Sequence, residues 1–230
     1  METLNCEVLG VREVNRALRR LPARSQVRVT NTYGKHNIAV GLDKEISITL
    51  GGNTGYFTGG LGGSSDGTGP DIVVDGFVGW SLAENLMGGS VRVKGSASQS
   101  AASSARGGTI IIEGDASLRA GISLKGATLA VAGNVGAMSG FMAQAGTILV
   151  GGNAGAGLGD SLYEAVIYVA GSIVSLGADA QVEELSSDDI LAIKRLVEIT
   201  GFDHIDPHRV TRVASARRLY HFSAQNHGSY

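Results

Sequence analysis

The sequence is poor in the residues that staple, kink or span. It has one cysteine and three prolines in 230 residues, and aromatic residues make up 5%. A lone thiol, Cys6, excludes an internal disulfide. No uninterrupted apolar run approaches the roughly 20 residues that cross a bilayer, and METLNCEVLG lacks the basic segment and apolar run of a secretion signal; the expectation is a cytoplasmic protein with no membrane partner. Charge of one sign is also missing. A formal net charge of -2 and a pI near 6.2 give no field for a phosphate backbone, so nucleic acid is not expected as a partner.

Glycine fills the space these absences leave, at 35 of 230 residues, about twice ordinary usage. Gly76, Gly95, Gly114, Gly133, Gly152 and Gly171 each stand 19 residues from the last. A fixed period near 20 indicates stacked structural units. Four and two positions before these glycines stand Ile72 and Val74, Val91 and Val93, Ile110 and Ile112, Leu129 and Val131, Ile148 and Val150, Ile167 and Val169. A spacing of two places each pair on one face of a strand, and branched aliphatics suit that surface when it faces a core.

No helix-length amphipathic segment separates the units, so the strands are expected to stack in parallel through tight corners. The pattern predicts an all-β chain: a parallel β-helix of six or seven coils, with the six repeat glycines at corners chosen for their tolerance of φ > 0. Asp115, Asn134 and Asn153 suit the same corners as residues that tolerate left-handed backbone and bond it locally. An earlier coil is visible at ISITLGGN, Ile46 to Asn53. The step from its Gly52 to Gly76 is 24, and the excess, placed in Gly59 to Gly67, predicts a mobile loop.

Three divisions follow: 1–36 as an N-terminal helix and cap, 37–181 as the β-helix, and 182–230 as a C-terminal helix and basic arm. Val11, Val14, Leu18 and Leu21, closed by Pro22, predict a short amphipathic helix over the first end. Ser186 as N-cap, Asp189 three residues on and Gly201 as stop predict a second helix, and helices are expected to cap both ends of the stack.

Residues able to do chemistry are scattered. Gly151 to Asp160 lacks the Lys-Ser/Thr of a phosphate loop and keeps the frame of the other corners. His204 and His208 are four apart, but Pro207 breaks the helix that would align them as metal ligands. Cys6 has no histidine nearby in sequence, and the serine tract 96–106 has no histidine and aspartate arranged for acyl transfer. Arg217, Arg218, Tyr220, His221 and Phe222 suit docking on an acidic protein surface better than RNA. No catalytic, cofactor-binding or metal-binding residue is therefore assigned. The position three before each repeat glycine reads Val73, Arg92, Ile111, Ala130, Leu149 and Tyr168; it must face outward, and its apolar character predicts a partner interface centred on Arg92, Ile111, Leu149 and Tyr168.

VREVNRALRR, RVTNTYG, ISITLGGNTGYF and FVGWSLAENLMGGSVRV resemble the opening helix, the connector and the first two coils of the GXGXG domain, the right-handed β-helix of the glutamate synthase large subunit. The resemblance covers roughly 11–180. It implies a stand-alone, non-catalytic subunit of a hetero-oligomeric glutamate-synthase-like enzyme, N-methylglutamate synthase (methylamine-glutamate N-methyltransferase) being the best-matching type. It also implies two partners: a class II glutamine amidotransferase-like subunit, and an FMN-binding glutamate synthase-like barrel subunit that carries FMN and an iron-sulfur cluster. The alternatives are a subunit like the C chain of formylmethanofuran dehydrogenase and a self-assembling scaffold of the bactofilin kind. A hexapeptide-repeat acyltransferase fits less well, because 19 does not divide into sixes.

Overall fold

The computed structural model describes residues 1–218. Eleven strands form one sheet: β1 (Glu2–Asn5), β2 (Gln26–Thr30), β3 (Ser47–Leu50), β4 (Asp71–Val74), β5 (Ser90–Val93), β6 (Thr109–Ile112), β7 (Lys125–Val131), β8 (Ala145–Val150), β9 (Val166–Val169), β10 (Ala180–Glu183) and β11 (Thr211–Ser215), with helices α1 (Cys6–Arg20) and α2 (Ser187–Thr200). Strands β1 to β9 pair in parallel, each with the next in sequence. The chain is a β-solenoid.

Register follows the repeat. Ile110 sits against Val91 and Leu129, and Ile112 against Val93 and Val131, so the paired aliphatics stack without a slip and are fully buried. A second inward column, Thr54, Val78, Ala97, Ala116, Val135, Ala154 and Ile173, is joined rung to rung by parallel bridges. The stack begins earlier than the repeat glycines suggest. RVT lies in β2 instead of a connector, and β1 precedes it, because Leu4, Val27 and Val29 continue the buried face.

Helix α1 closes the first end of the core, as its apolar spacing predicts. Val14 and Leu18 are fully buried, and Asn15 donates to Asn37 O at 2.7 Å while accepting Ala39 N–H at 2.8 Å. A kink at Gly10 (φ 72°) divides the helix.

The C-terminal end differs from the expectation. Helix α2 has the predicted capping box at Ser186 and Asp189 and the left-handed stop at Gly201, yet it lies along a side wall. The last rungs are instead β11, which returns to pair antiparallel with β9, and β10, which pairs antiparallel on its outer side. β11 thus interrupts the parallel ladder, and β10, the outermost strand, runs in the same direction as β1 to β9.

The corner chemistry also differs. None of the six repeat glycines has a positive φ. They are glycine because a β-carbon would strike the coil beneath: at Gly95 it would stand 2.9 Å from Gly76 O, and at Gly152 2.8 Å from Gly133 O. Asp115, Asn134 and Asn153 are not left-handed either. Each side-chain oxygen accepts the N–H of the matching residue one coil on, Asp115 from Asn134 at 2.7 Å, Asn134 from Asn153 at 2.8 Å and Asn153 from Ser172 at 2.9 Å.

Left-handed backbone occurs elsewhere in the coil, at alternate residues: Phe57, Gly59 and Leu61; Ser81, Ala83 and Asn85; Ser100, Ala102 and Ser104; Arg119, Gly121 and Ser123; Met138, Gly140 and Met142; Gly157, Gly159 and Ser161. Their N–H groups alternate between coils. Arg119 N–H reaches up to Ala137 O, Gly121 N–H down to Ala101 O and Ser123 N–H up to Phe141 O. This second wall is thus bonded rung to rung. Gly59 and Leu61 belong to it, and what projects beyond the coil is a turn near Ser64 and Thr68, closed by Ser64 N–H to Thr68 O at 2.7 Å.

Candidate functional site

The outward ridge predicted as a partner interface is covered by the chain itself. Ile111, Ala130, Leu149 and Tyr168 pack with Ile193 of α2 and with Phe202, Ile205 and Val210 of the segment after it. Leu149 is wholly buried and Tyr168 is 4% exposed. A partner is not what covers these residues: α2 presents a complementary apolar face within the same chain.

Polar contacts fix that cover. The Tyr168 hydroxyl donates to Asp189 Oδ1 at 2.5 Å, Arg212 Nε donates to the same oxygen at 3.1 Å, and Arg212 also pairs with Glu183. Burial pushes the Asp189 carboxyl up, but hydrogen bonds from Ser186, Tyr168 and Arg212 outweigh it and hold the group well below the usual carboxylate range. Burial and the neighbouring carboxylate push the Tyr168 phenol up. At the other end Arg92 caps the helix, donating to Ile199 O at 3.3 Å and Thr200 O at 3.1 Å while pairing with Glu113 at 2.8 Å.

The remaining chemistry-bearing residues are held in structural contacts. Cys6 is fully buried, and burial pushes its thiol up, against a smaller opposing pull from Lys35. His204 Nε2 lies 3.1 Å from Ala132 O, lining an open groove of about 590 Å³ beside Arg92 and Glu113. No group of three His, Cys, Asp or Glu able to hold a metal occurs among the described residues, and no helix there is long and apolar enough to cross a membrane. In Gly151–Asp160, Gly152 is a corner, Ala154 faces inward, and Gly157 and Gly159 are left-handed. Of the basic arm, Arg217 pairs with Glu164 at 3.6 Å and Arg218 N–H donates to Asp179 at 2.9 Å; Tyr220, His221 and Phe222 lie outside the described residues.

One outward feature was missed in the sequence. On the left-handed wall the rings of His36, Tyr56 and Trp80 form a ladder, with centroids 4.2 and 5.0 Å apart and planes inclined by 23° and 11°. His36 Nδ1 accepts the Tyr56 N–H at 2.9 Å. Glycines make room for the rings: a β-carbon on Gly55 would overlap His36, and one on Gly79 would stand 2.9 Å from Tyr56 Cδ1. Tyr56 and Trp80 stand four residues after Gly52 and Gly76, so extending the repeat alignment to that position would have revealed the column.

Fold and surface together define a β-solenoid with one wall covered by α2 and an aromatic ridge on another. No family model matches the sequence. Protein GlxC of Rhizobium meliloti (strain 1021) is 47% identical over 233 residues, spanning the whole of both chains. The chain belongs to the GlxC family.

Proposed function

We propose that this chain is the structural subunit of a glutamate-synthase-like complex of the N-methylglutamate synthase type, bridging a class II amidotransferase-like subunit and an FMN-binding barrel subunit that carries FMN and an iron-sulfur cluster. The observation that carries the reading is the solenoid itself. Its coils hold the segments that resemble the GXGXG domain: ISITLGGNTGYF runs through β3 and its corner, and FVGWSLAENLMGGSVRV from the next corner into β5. The likeness to GlxC runs through all of these coils. Self-polymerisation is the weaker reading, since α1 packs over the first end of the core and opposes end-on stacking there.

Chemistry points the same way. A nucleophile needs a base within hydrogen-bond reach, whereas Cys6 is buried with a raised pKa and the His204 ring contacts a backbone carbonyl. The test is the purified chain alone: its absorption spectrum and its glutamine hydrolysis. A colourless, inactive protein that joins an active complex when the two partners are added supports the proposal; flavin bound to the isolated chain, or glutamine turnover by it, refutes it.

A further inference from the structure

We infer that the outer edge of β10 is a docking site for this chain's own segment 219–230, which adds a strand there and caps the last end of the solenoid. The inference is independent of the subunit reading. The two ends of the core are finished unequally. Over the first, α1 lays Val14 and Leu18, both fully buried. At the other end the inward column runs through Ile148, Ile167 and Val213 to Val182; the first three are fully buried and Val182 is 58% exposed. Ile173, Leu176 and Ala180, at the margin of the core, are only partly buried. The backbone is open there too. Ala216 N–H donates to Asp179 O at 2.7 Å, and bonded pairs alternate along an antiparallel ladder, so Gln181 and Glu183 bond to β11 while Ala180 and Val182 turn their N–H and C=O groups to the outer side. No strand lies beyond β10 among the described residues, and such an edge is a template for another strand.

The path of the chain after β11 selects the occupant. It bends round Asp179, the residue before β10: Ser215 Oγ donates to Asp179 Oδ2 at 3.1 Å and Arg218 N–H to Asp179 Oδ1 at 2.9 Å. Between them Arg217 is left-handed, with φ 56°, and its N–H donates to Ser215 Oγ at 3.0 Å. This turn ends β11 and brings the chain to the start of β10, where Ala216 and Arg218 line a groove of about 240 Å³ together with Ala180 and Gln181. Segment 219–230 continues from the wall of that groove. It opens with LYHF, in which Tyr220 and Phe222 are two apart and so share one face of a strand, as Ala180 and Val182 do in β10. Tethering decides against other occupants. A segment joined to the protein beside its site is held at an effective concentration of about millimolar, which a second copy or a partner's strand must match from solution.

Residue-resolved amide exchange tests this, comparing the dilute full chain with a chain shortened to end at Arg218. Val182 N–H reports the outer edge, and Val213 N–H, which the same alternation turns toward β9, is the control. The expected result is exchange at Val182 slower by about ten-fold or more in the full chain, with Val213 exchanging alike in both. Equal exchange at Val182 in the two chains overturns the cap. Protection of Val182 that rises with protein concentration assigns the edge to a second copy and overturns it too. If the shortened chain also loses protection at Ile110 and Ile112, its fold is lost, and the full-length Tyr220→Asp, Phe222→Asp double variant takes its place: faster exchange at Val182 alone supports the cap, and exchange as slow as in the unaltered chain overturns it.

Discussion

A β-carbon on Gly152 would stand 2.7 Å from Asn134 Oδ1, the oxygen that accepts the Asn153 N–H at 2.8 Å. One contact thus fixes both the missing side chain and the ladder beside it. Gly152→Ala is expected to destabilise the solenoid by about 1–3 kcal/mol through overpacking. Chemical denaturation checks this, and a variant as stable as wild type would show that the corner can relax.

Ile112 is fully buried between Val93 and Val131. Ile112→Ala should cost about 2–5 kcal/mol, whereas a substitution at the partly exposed Ser103 should cost well under 1 kcal/mol. Equal thermal shifts for the two would contradict the inward assignment.

Thr54 occupies the inward column shared with Val78 and Val135, and its buried hydroxyl has no hydrogen-bond partner. Replacing it with the isosteric valine removes an unsatisfied polar group. Thr54→Val is expected to stabilise the chain by about 1 kcal/mol or more, read as a higher denaturant midpoint with an unchanged slope.

The Tyr168–Asp189–Arg212 contacts predict how the α2 cover responds to acid. The folded-state pKa of Asp189 is lowered, so its stabilising contribution is full above the unfolded carboxylate value near 3.9 and is lost as pH falls through the lowered folded value. Asp189→Asn should flatten this acid dependence. Hydrogen exchange across 187–200 is the measurement, and an unaltered acid profile in the variant would remove Asp189 from the latch.

Leu149→Asp places a carboxylate in the apolar contact beneath α2. The helix should detach, raising exchange in 187–200, while the amides of Ile110 and Ile112 stay protected by the parallel ladder. Loss of protection in both regions together would show that α2 and the solenoid unfold as one unit.

How legible this was in the sequence depended on the kind of signal. The paired aliphatics read directly, because each rung repeats one local rule: two branched residues, then a glycine. The left-handed wall did not. Its positions hold Phe57, Ser81, Ser100, Arg119, Met138 and Gly157 in one column, a series with no shared polarity, because backbone hydrogen bonding to the adjacent coils defines it. The ridge of Ile111, Leu149 and Tyr168 was legible as apolar and outward, but its cover depends on where the chain returns after Gly201, and no repeat governs that path. Gly76 and its successors were correctly placed and wrongly explained, since a close approach between coils and a positive φ select the same residue.

On the proposed function, this solenoid assembles with partners that carry the chemistry. The most direct measurement is size exclusion of the chain co-expressed with the amidotransferase-like and flavin-barrel subunits, followed at flavin absorbance and by subunit mass. The expected result is one species holding all three chains, with flavin absorbance that stays with the barrel subunit once this chain is removed. Elution of this chain by itself, apart from both other subunits and their flavin, would contradict it.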